Sequence, residues 1–209
     1  MPATNVNEQQ PTVFIVDDEY AVRDALGLLI ESAGLSAEGF DSACAFLKAY
    51  DPDRSGCLLL DVRMNPMSGL DLQEALQKKN IAIPIIFISG HGDVAISARA
   101  FRGGAVDFIE KPFDDQTLLS RVEEALEKDA QLREKCAVKK EILRHYERLT
   151  PREKEVMKLV IGSRSNKQIA KTLGISHRTV DAHRARVMEK MDAESLADLI
   201  AKALQAEIA

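Results

Sequence analysis

The sequence predicts a two-part chain, a doubly wound α/β domain with a parallel sheet followed by a small all-helical module. Three observations support this fold class. Over residues 1–128, short apolar runs alternate with longer amphipathic ones, which is the pattern of β-α repeats. Runs such as LLLD and IIFIS are apolar on successive residues, as expected for strands covered by helices on both faces. From Leu149 onward only helical patterns remain.

The first part contains five strand-like runs and five helix-like runs in alternation. The strand-like runs are TVFIV at 12–16, LSAEGF at 35–40, GCLLLD at 56–61, PIIFIS at 84–89 and AVDFIE at 105–110. The helix-like runs are ALGLLI at 25–30, CAFL at 44–47, LDLQEAL at 70–76, VAISARAF at 94–101 and LLSRVEEAL at 118–126. We therefore expect residues 11–128 to form a five-stranded parallel sheet in the flavodoxin-like order 2-1-3-4-5.

The stretch 119–148 lacks glycine and proline and is rich in Glu, Lys, Arg, Leu and Ala. This composition favours a helix, so we expect the last helix of the first domain to run on into a helical linker at 129–148. A short coiled coil over the same stretch is an alternative, although its heptad register is imperfect.

Residues 149–209 predict about four helices. The segment LTPREKEVMKLV starts with Thr150 as N-cap, Pro151 at the first helical position and Glu153 three residues on, a capping-box start. A short helix at about 166–173, a tight turn at 174–176 and a longer helix capped by Ser176 follow, and a last helix is expected at about 194–206. Apolar residues at helical spacing can pack these elements together as a helix-turn-helix.

Charge separates the two parts. The whole chain carries −5, but residues 1–128 hold 11 basic and 21 acidic side chains, a net −10, whereas 129–148 carry +2 and 149–209 carry +3. Within 164–190, seven basic residues face two acidic ones. This local +5 is typical of phosphate contact in a nucleic-acid interface. A solvated charged helix is the alternative for the charge taken alone.

Composition excludes several classes of protein. Hydrophobic residues make up 45% and charged residues 29%, so both parts can bury a core. No apolar run reaches the roughly 18–20 residues of a membrane span, and MPATNVNEQQP lacks the layout of a secretory signal. The three cysteines form no close-spaced pair, and the histidines lack metal-ligand spacing. We expect a cytoplasmic protein with reduced thiols and no membrane partner.

Acidic residues stand at the ends of two apolar strands. Asp17 and Asp18 follow TVFIV, and Asp61 closes GCLLLD. In the expected sheet order, strands 1 and 3 flank the switch point where ligands bind, so the three carboxylates should converge. An all-oxygen pocket suits a hard ion such as Mg²⁺, and we expect a divalent-metal site there.

Two further strand ends carry the groups that phosphoryl chemistry needs. Ser89 follows PIIFI and offers a hydroxyl, and Lys111 follows AVDFI and offers a cation. Together with a metal they would neutralise the oxygens of a transferred phosphoryl group, with Asp61 as the nucleophile that forms an acyl phosphate. The alternative is that the acids are helix caps and Lys111 a surface lysine, but five such residues at matching strand ends favour the site.

These motifs carry a resemblance. FIVDDE, LLLDVRM, ISGHGDV and FIEKPF resemble the receiver domains of response regulators, most closely the NarL/FixJ group, over about residues 11–128. The resemblance implies that Asp61 is the phosphoacceptor and that Asp18 and Asp61 bind Mg²⁺ or Mn²⁺. It further implies that Asp17 assists through water and that the backbone carbonyl of Arg63 completes the protein ligands.

The resemblance also implies a switch. Ser89 and Lys111 would bind the phosphoryl oxygens, and Phe108 matches the strand 5 aromatic that rotates inward on activation. Plain core packing is the alternative for Phe108. The chain departs from the family after the phosphoacceptor, because Pro66 follows Asn65 one place later than the usual Asp-x-x-x-Pro. The loop beside the metal is therefore expected to differ in geometry.

The segment SNKQIAKTLGISHRTVDAHRARVMEKM, together with LTPREKEVMKLV before it, resembles the LuxR-type helix-turn-helix. By that resemblance, the residues near the DNA backbone would be Lys167, Thr179, His183 and Arg186. Those facing base edges would be Asp181, Ala182, Arg184 and Ala185. The basic Arg178 and Lys190 complete the candidate interface, and the last helix would supply a dimer contact.

Two positions of this second part are open to different interpretations. The family usually has glycine at the position of Ser163, and here the glycine is Gly162, so a shifted turn before the scaffold helix is the expectation. His183 has no partner at the spacing of a metal or catalytic site, and we interpret it as a contact or packing residue.

The expected function is that of a transcription regulator in a two-component phosphorelay, not an enzyme. A cognate sensor histidine kinase would phosphorylate Asp61, and the phosphorylated homodimer would bind double-stranded promoter DNA and act on RNA polymerase. Transmission through the linker helix is an alternative to dimerisation, and slow self-hydrolysis of the acyl phosphate is expected.

Three other functions compete with this one. Haloacid-dehalogenase-type phosphatases also use Asp, Mg²⁺ and Lys, but they need Asp-x-Asp, whereas Asp17 and Asp18 are adjacent here. A sigma-like module would need a promoter-opening region that is absent from the sequence. An interaction-only receiver is distinguished by a gel shift on promoter DNA.

Overall fold

The computed structural model describes residues 10–90 and 94–208, and it divides the chain into two compact units, Met1–Arg133 and Glu134–Ala209. Two sequence predictions touch residues outside these ranges, the N-terminal segment 1–9 and the His91-Gly92-Asp93 part of ISGHGDV. The elements of the first part are β1 (Thr12–Val16), α1 (Tyr20–Ser32), β2 (Ser36–Phe40), α2 (Ala43–Ala49), β3 (Gly56–Asp61), α3 (Gly69–Lys78), β4 (Ile85–Ser89), α4 (Val94–Arg102), β5 (Asp107–Glu110) and α5 (Asp115–Glu147). Those of the second part are α6 (Pro151–Ile161), α7 (Asn166–Leu173), α8 (His177–Lys190) and α9 (Leu196–Gln205).

The five strands form one parallel sheet in the order β2-β1-β3-β4-β5, which confirms the predicted fold class. Alternate residues of each central strand enter different cores, as the period of a strand requires. Phe14 and Leu58 belong to the apolar cluster that includes α2 and α3 residues, whereas Val13 and Leu59 belong to the cluster that includes α1 and α5 residues. Burial on both faces explains why these strands are apolar on successive residues.

The register of the sheet brings polar strand ends to one edge. Val16 pairs with Leu60, so Asp17 follows β1 at the level where Asp61 ends β3. Asp61 pairs with Ile88 and Ser89 pairs with Glu110, one residue before Lys111. The carboxyl ends of β1, β3, β4 and β5 therefore meet, as the topological rule for such sheets predicts.

Helix α5 is a single helix of 33 residues, Asp115–Glu147. The predicted helical linker, 129–148, lies within it except for its last residue. The boundary between the compact units falls between Arg133 and Glu134, inside this helix. The domain limits at 128 and 149 and the coiled-coil alternative stay predictions.

The second unit packs around one apolar core. Ile142 from the last turns of α5 joins residues of all four following helices, among them Val156, Ile169, Val187 and Leu199. The capping box of α6 is confirmed, since the Thr150 side chain accepts from the Glu153 N–H and Glu153 accepts from the Thr150 N–H. Within the described residues, no helix is long and apolar enough to cross a membrane.

The turns after α6 and α7 each contain a residue with a positive φ. Gly174 ends α7 in the left-handed region, with φ 65°. After α6 it is Ser163, not Gly162, that takes a positive φ, 57°. A turn shifted relative to the family stays a prediction, and a serine in this conformation bears a steric cost that glycine would not.

Candidate functional site

Three strand ends place Asp17, Asp61 and Lys111 in contact. The Nζ atom of Lys111 lies 3.1 Å from Asp17 Oδ2 and 3.2 Å from Asp61 Oδ1. The Asp17 side chain is almost fully buried, and those of Asp61 and Lys111 are partly covered. These residues are 94 and 50 positions apart in sequence from Lys111, so only the sheet register brings them together.

Backbone groups fix the two carboxylates. The N–H of Glu19 donates to Asp17 Oδ1 at 2.9 Å, and the N–H of Arg63 donates to Asp61 Oδ2 at 2.7 Å. At Gly69 the chain passes so near that an added Cβ would lie 2.2 Å from the Asp61 carbonyl oxygen. The phosphoacceptor candidate is thus held by its own loop on one side and by Lys111 on the other.

Burial and charge act in opposite directions on this cluster. Burial raises the pKa of Asp61, the nearby Asp17 raises it further, and Lys111 lowers it. Burial lowers the pKa of Lys111, but hydrogen bonds and charge from Asp17 and Asp61 outweigh this and leave it raised. Lys111 therefore stays protonated beside the half-buried carboxylate of Asp61. Such a pair is suited to binding an anionic group next to a nucleophile.

The donor chemistry fits a hard metal ion. Asp17, Asp18 and Asp61 offer carboxylate oxygens, the ligand type that Mg²⁺ prefers. Asp17 and Asp61 are brought together, whereas Asp18 is exposed, and no group of three acidic, His or Cys side chains within 10–90 and 94–208 is arranged to hold a metal. Of the three carboxylates predicted to converge, the structure therefore brings two together, Asp17 and Asp61, through Lys111.

Ser89 and Phe108, the other residues predicted for the switch, lie on β4 and β5. Ser89 is buried, and its carbonyl accepts from the Lys111 N–H at 2.7 Å. Phe108 is half-buried with its ring centroid 6.3 Å from that of Phe87, so it packs against the core cluster. The peptide bonds before Pro66 and Pro112 are both cis.

A second candidate surface lies on α8. Val180 and Val187 are buried in the core and fix the helix. Most of the predicted DNA-contacting residues are exposed, while His183, Arg184 and Lys190 are half-buried. The exposed ones are Lys167 on α7 together with Arg178, Thr179, Asp181, Ala182, Ala185 and Arg186 on α8.

Asn166, at the start of α7, links two residues of this surface. Its Nδ2 donates to Asp181 Oδ1, and its Oδ1 accepts from Arg184 Nη1 at 2.9 Å. An amide side chain is the group that satisfies a carboxylate and a guanidinium at the same time. Two of the four residues expected at base edges are therefore oriented by Asn166, which lies on the other helix of the motif.

Lys190 has a partner inside the unit. Its Nζ lies 2.6 Å from Oε2 of Glu153, whose side chain is 2% exposed. Burial alone would raise the pKa of Glu153, but hydrogen bonds from Lys190 and from the Thr150 N–H and hydroxyl lower it to about 2. The N-terminus of α6 and the C-terminus of α8 are thus joined by an ion pair.

Comparison with protein-family models gives two matches. Residues 13–123 match the response regulator receiver domain, and residues 147–203 match the luxR family of bacterial regulatory proteins. The chain belongs to the response regulators with a LuxR-type DNA-binding domain. The protein is a transcriptional response regulator of a two-component system and is not an enzyme.

This response regulator has relatives along most of its length. It is 48% identical to nodulation protein W of Bradyrhizobium diazoefficiens over 90% of this chain and 83% of the relative. It is 40% identical to the transcriptional regulatory protein FixJ of the same organism over 93% of this chain and 95% of the relative. Among solved structures, response regulator StyR is similar with a TM-score of 0.82 at 42% identity, covering 94% of this chain and all of that chain.

The sequence predicts the strand-end residues of the receiver, but it does not identify the residues that hold α8 or orient its side chains. Asn166 and Glu153 have roles that depend on residues 15 and 37 positions away, Asp181 and Lys190. The local pattern predicts Glu153 as a capping-box residue, but it does not predict the second partner of this glutamate, Lys190.

Proposed function

We propose that Asp61 accepts a phosphoryl group from a cognate sensor histidine kinase and that this modification controls promoter binding by the helical unit. The observation that carries the proposal is the bridge of Lys111 between Asp17 and Asp61, at 3.1 and 3.2 Å. A cation held by two carboxylates at a partly covered strand end is suited to receive an anionic group there.

In the proposed transfer, a carboxylate oxygen of Asp61 attacks the phosphorus atom of the phosphorylated kinase histidine. The P–N bond breaks as the P–O bond forms, and the leaving imidazole nitrogen keeps the electron pair. Lys111 then exchanges part of its contact with the Asp61 carboxylate for the phosphoryl oxygens, and the Ser89 hydroxyl donates to another. Slow hydrolysis of the acyl phosphate would reset the protein.

We further propose that Asp18, Asp61 and the backbone carbonyl of Arg63 hold Mg²⁺ or Mn²⁺, with Asp17 assisting through water. Receiver domains generally bind Mg²⁺ at the phosphorylation site. The ion, when bound, neutralises charge on the transferred group. The contact of Asp17 with Lys111 and the bond of the Arg63 N–H to Asp61 would orient both carboxylates for this ion.

Phosphorylation is proposed to act through Ser89 and Phe108. The serine would move toward the phosphoryl group and the Phe108 ring would turn inward, shifting the populations of two states. Phe108 is half-buried and packs against the core cluster beside Phe87, and this partly covered position supports the role.

The helical unit is proposed to bind double-stranded promoter DNA through α8 in the major groove. Lys167, Arg178, Thr179, His183 and Arg186 would contact the backbone. The residues proposed to face base edges are Asp181, Ala182, Arg184 and Ala185, with Asn166 fixing two of them. Lys190 would add basic charge at the end of the helix. Phosphorylation would favour a homodimer, through α9 or the receiver, that contacts RNA polymerase.

The test is DNA binding by the full chain with and without acetyl phosphate and Mg²⁺, with wild type compared to Asp61→Asn. We expect tenfold or more tighter binding of promoter fragments and a larger dimer fraction only in phosphorylated wild type. Equal binding by both proteins would overturn the phosphorylation switch. Lys167→Ala tests the proposed DNA interface separately. Loss of one phosphate contact should reduce the slope of log binding constant against log salt concentration by about one, without changing base preference.

A further inference from the structure

Helix α5 is fastened to the loop before β3 by two of its side chains, Asp129 and Arg133. The Oδ2 atom of Asp129 accepts from the Gly56 N–H at 2.9 Å and from Arg133 Nε at 2.7 Å. The guanidinium of Arg133 also donates to backbone carbonyls of the loop, those of Pro52, Asp53 and Arg54. We refer to Asp129, Arg133 and the loop 52–56 as the α5 clamp.

The clamp is built around a buried charge. The Asp129 side chain is 2% exposed, and a carboxylate so placed is strongly destabilising unless it is paired. Its other oxygen, Oδ1, is buried without a hydrogen-bond partner among the described residues. Burial together with the negative charge of Asp129 raises the pKa of the neighbouring Cys57 thiol to about 12. Because one oxygen of Asp129 lacks a hydrogen bond from the described residues, the ion pair with Arg133 is needed to stabilise the buried carboxylate.

The clamp extends the fixed part of α5. Leu118, Val122 and Ala125 of this helix are fully buried against the sheet. Arg133 lies eight residues beyond Ala125, about two helical turns further on. The following side chains, residues 134–138, are exposed. Without the clamp, the two helical turns between Ala125 and Arg133 would lose the polar contacts that tie them to the loop.

The position of the clamp along the chain is specific. It holds Gly56, the first residue of β3, and β3 ends at Asp61. The same helix continues to Glu147, and Ile142 in its last turns is buried in the core of the second unit. One helix is therefore anchored both to the strand of the phosphoacceptor and to the core that supports α8.

We propose that Asp129 and Arg133 are positioning residues that allow α5 to transmit the phosphorylation state of Asp61 to DNA binding. The inference rests on the proposed function above. With the clamp formed, the helix leaves the receiver in one rotational register; with the clamp broken, the stretch beyond residue 125 turns and frays independently of the sheet. Neither residue touches the reacting atoms.

The test compares full-length wild type with Arg133→Gln, Arg133→Lys and Arg144→Gln. The lysine variant keeps a charge for Asp129 but lacks the planar fork that spans several carbonyls. Arg144 is the matched control, because it lies on the same helix, is 67% exposed and pairs only with Glu141 in the contacts seen here. The probes are acetyl phosphate with Mg²⁺ and a double-stranded fragment selected from a random pool by phosphorylated wild type.

Three quantities are measured for each variant: the fraction of Asp61 phosphorylated, the ratio of DNA affinities with and without phosphorylation, and hydrogen exchange of amides 129–141. We expect Arg133→Gln to be phosphorylated within twofold of wild type and to exchange at least tenfold faster over 129–141. Its gain in affinity on phosphorylation should fall to less than a third of the wild-type gain, with Arg133→Lys in between and Arg144→Gln unchanged.

A wild-type gain that Arg133→Gln retains in full overturns the role of the clamp and leaves the proposed function standing. Lost phosphorylation in a folded Arg133→Gln also overturns it, because the clamp would then act on the site and not on transmission. A wild type without any gain overturns both proposals. If Arg133→Gln does not fold, Arg133→Lys and Asp129→Asn, which keeps an acceptor for Gly56, decide by the same ratio.

Discussion

The two functional regions of this response regulator are assembled in different ways. In the receiver, Asp17, Asp61 and Lys111 come from three strands and meet only because the sheet has one register. In the helical unit, nearly all proposed DNA contacts lie within one helix, His177–Lys190. The first region therefore depends on long-range packing, and the second depends on how firmly a single helix is held by its neighbours.

The largest effect is expected from a change that disturbs the sheet. Gly56 has φ 154°, and an added Cβ would lie 1.9 Å from the Thr12 carbonyl oxygen in the neighbouring strand. Gly56→Ala should lower the free energy of unfolding of the receiver by about 3 kcal/mol or more, since the backbone of β1 or β3 must move. Urea unfolding of the full chain measures this, with Asp61 phosphorylation falling in parallel.

Gly27→Ala provides the matched comparison for that change. Gly27 lies inside α1, and no atom is within 4 Å of an added Cβ. Alanine should stabilise the helix by about 0.5–1 kcal/mol, because glycine loses more conformational freedom on folding. If Gly56→Ala were as well tolerated as Gly27→Ala, the close strand approach inferred at β1 and β3 would be wrong.

A smaller loss of stability, and one that depends on pH, is expected when the Glu153–Lys190 ion pair of the helical unit is removed. Glu153 pairs with Lys190 and has a folded pKa of about 2, below the ordinary value of about 4.3. A lowered pKa gives stability that is present above the unfolded value and is lost as pH falls from about 4.3 to about 2. Glu153→Gln should remove about 1–2 kcal/mol at pH 7, because glutamine keeps the capping position but not the ion pair.

Hydrogen exchange of α6 and α8 amides in the full chain measures this loss. Glu155→Gln is the control, since Glu155 lies on the same helix but pairs with Arg152 on the surface, where an ion pair contributes little. The difference between wild type and Glu153→Gln should shrink as the pH is lowered toward 2. If the stability difference stayed constant with pH, the stabilising effect of Glu153 would not come from its charge.

The same contrast explains what the sequence could predict. All five strands and the helices of both parts follow from apolar periodicity, glycine positions and capping residues, which are local signals. The topology then follows from the rules for parallel sheets, and with it the meeting of Asp17, Asp61 and Lys111. The receiver site was predictable despite its distances because sheet topology converts strand ends into neighbours.

The contacts that sequence reasoning missed are those between side chains for which no such rule exists. Arg133 reaches a loop about 80 residues away, and Lys190 reaches Glu153 across 37 residues. Asn166 was not singled out because an asparagine after an N-cap serine is an ordinary helix start. Its bridge between Asp181 and Arg184 depends on the packing angle of two helices, which the pattern does not specify.

The smallest expected effect lies in the turn after α6, where a serine takes a positive φ. Ser163 holds φ 57°, a conformation that costs a residue with a Cβ about 1 kcal/mol, whereas Gly174 takes the same region after α7. Ser163→Gly should therefore stabilise the helical unit by about 0.5 kcal/mol after the entropy of glycine is subtracted, and Gly174→Ala should destabilise it by about 1 kcal/mol. Gly162→Ala is the control, because Gly162 has φ −72° and an added Cβ would make only ordinary contacts. A destabilised Ser163→Gly would mean that the serine side chain stabilises this turn by more than its backbone conformation costs. The end of α6 would then depend on a side chain, whereas the end of α7 depends on the conformational freedom of Gly174.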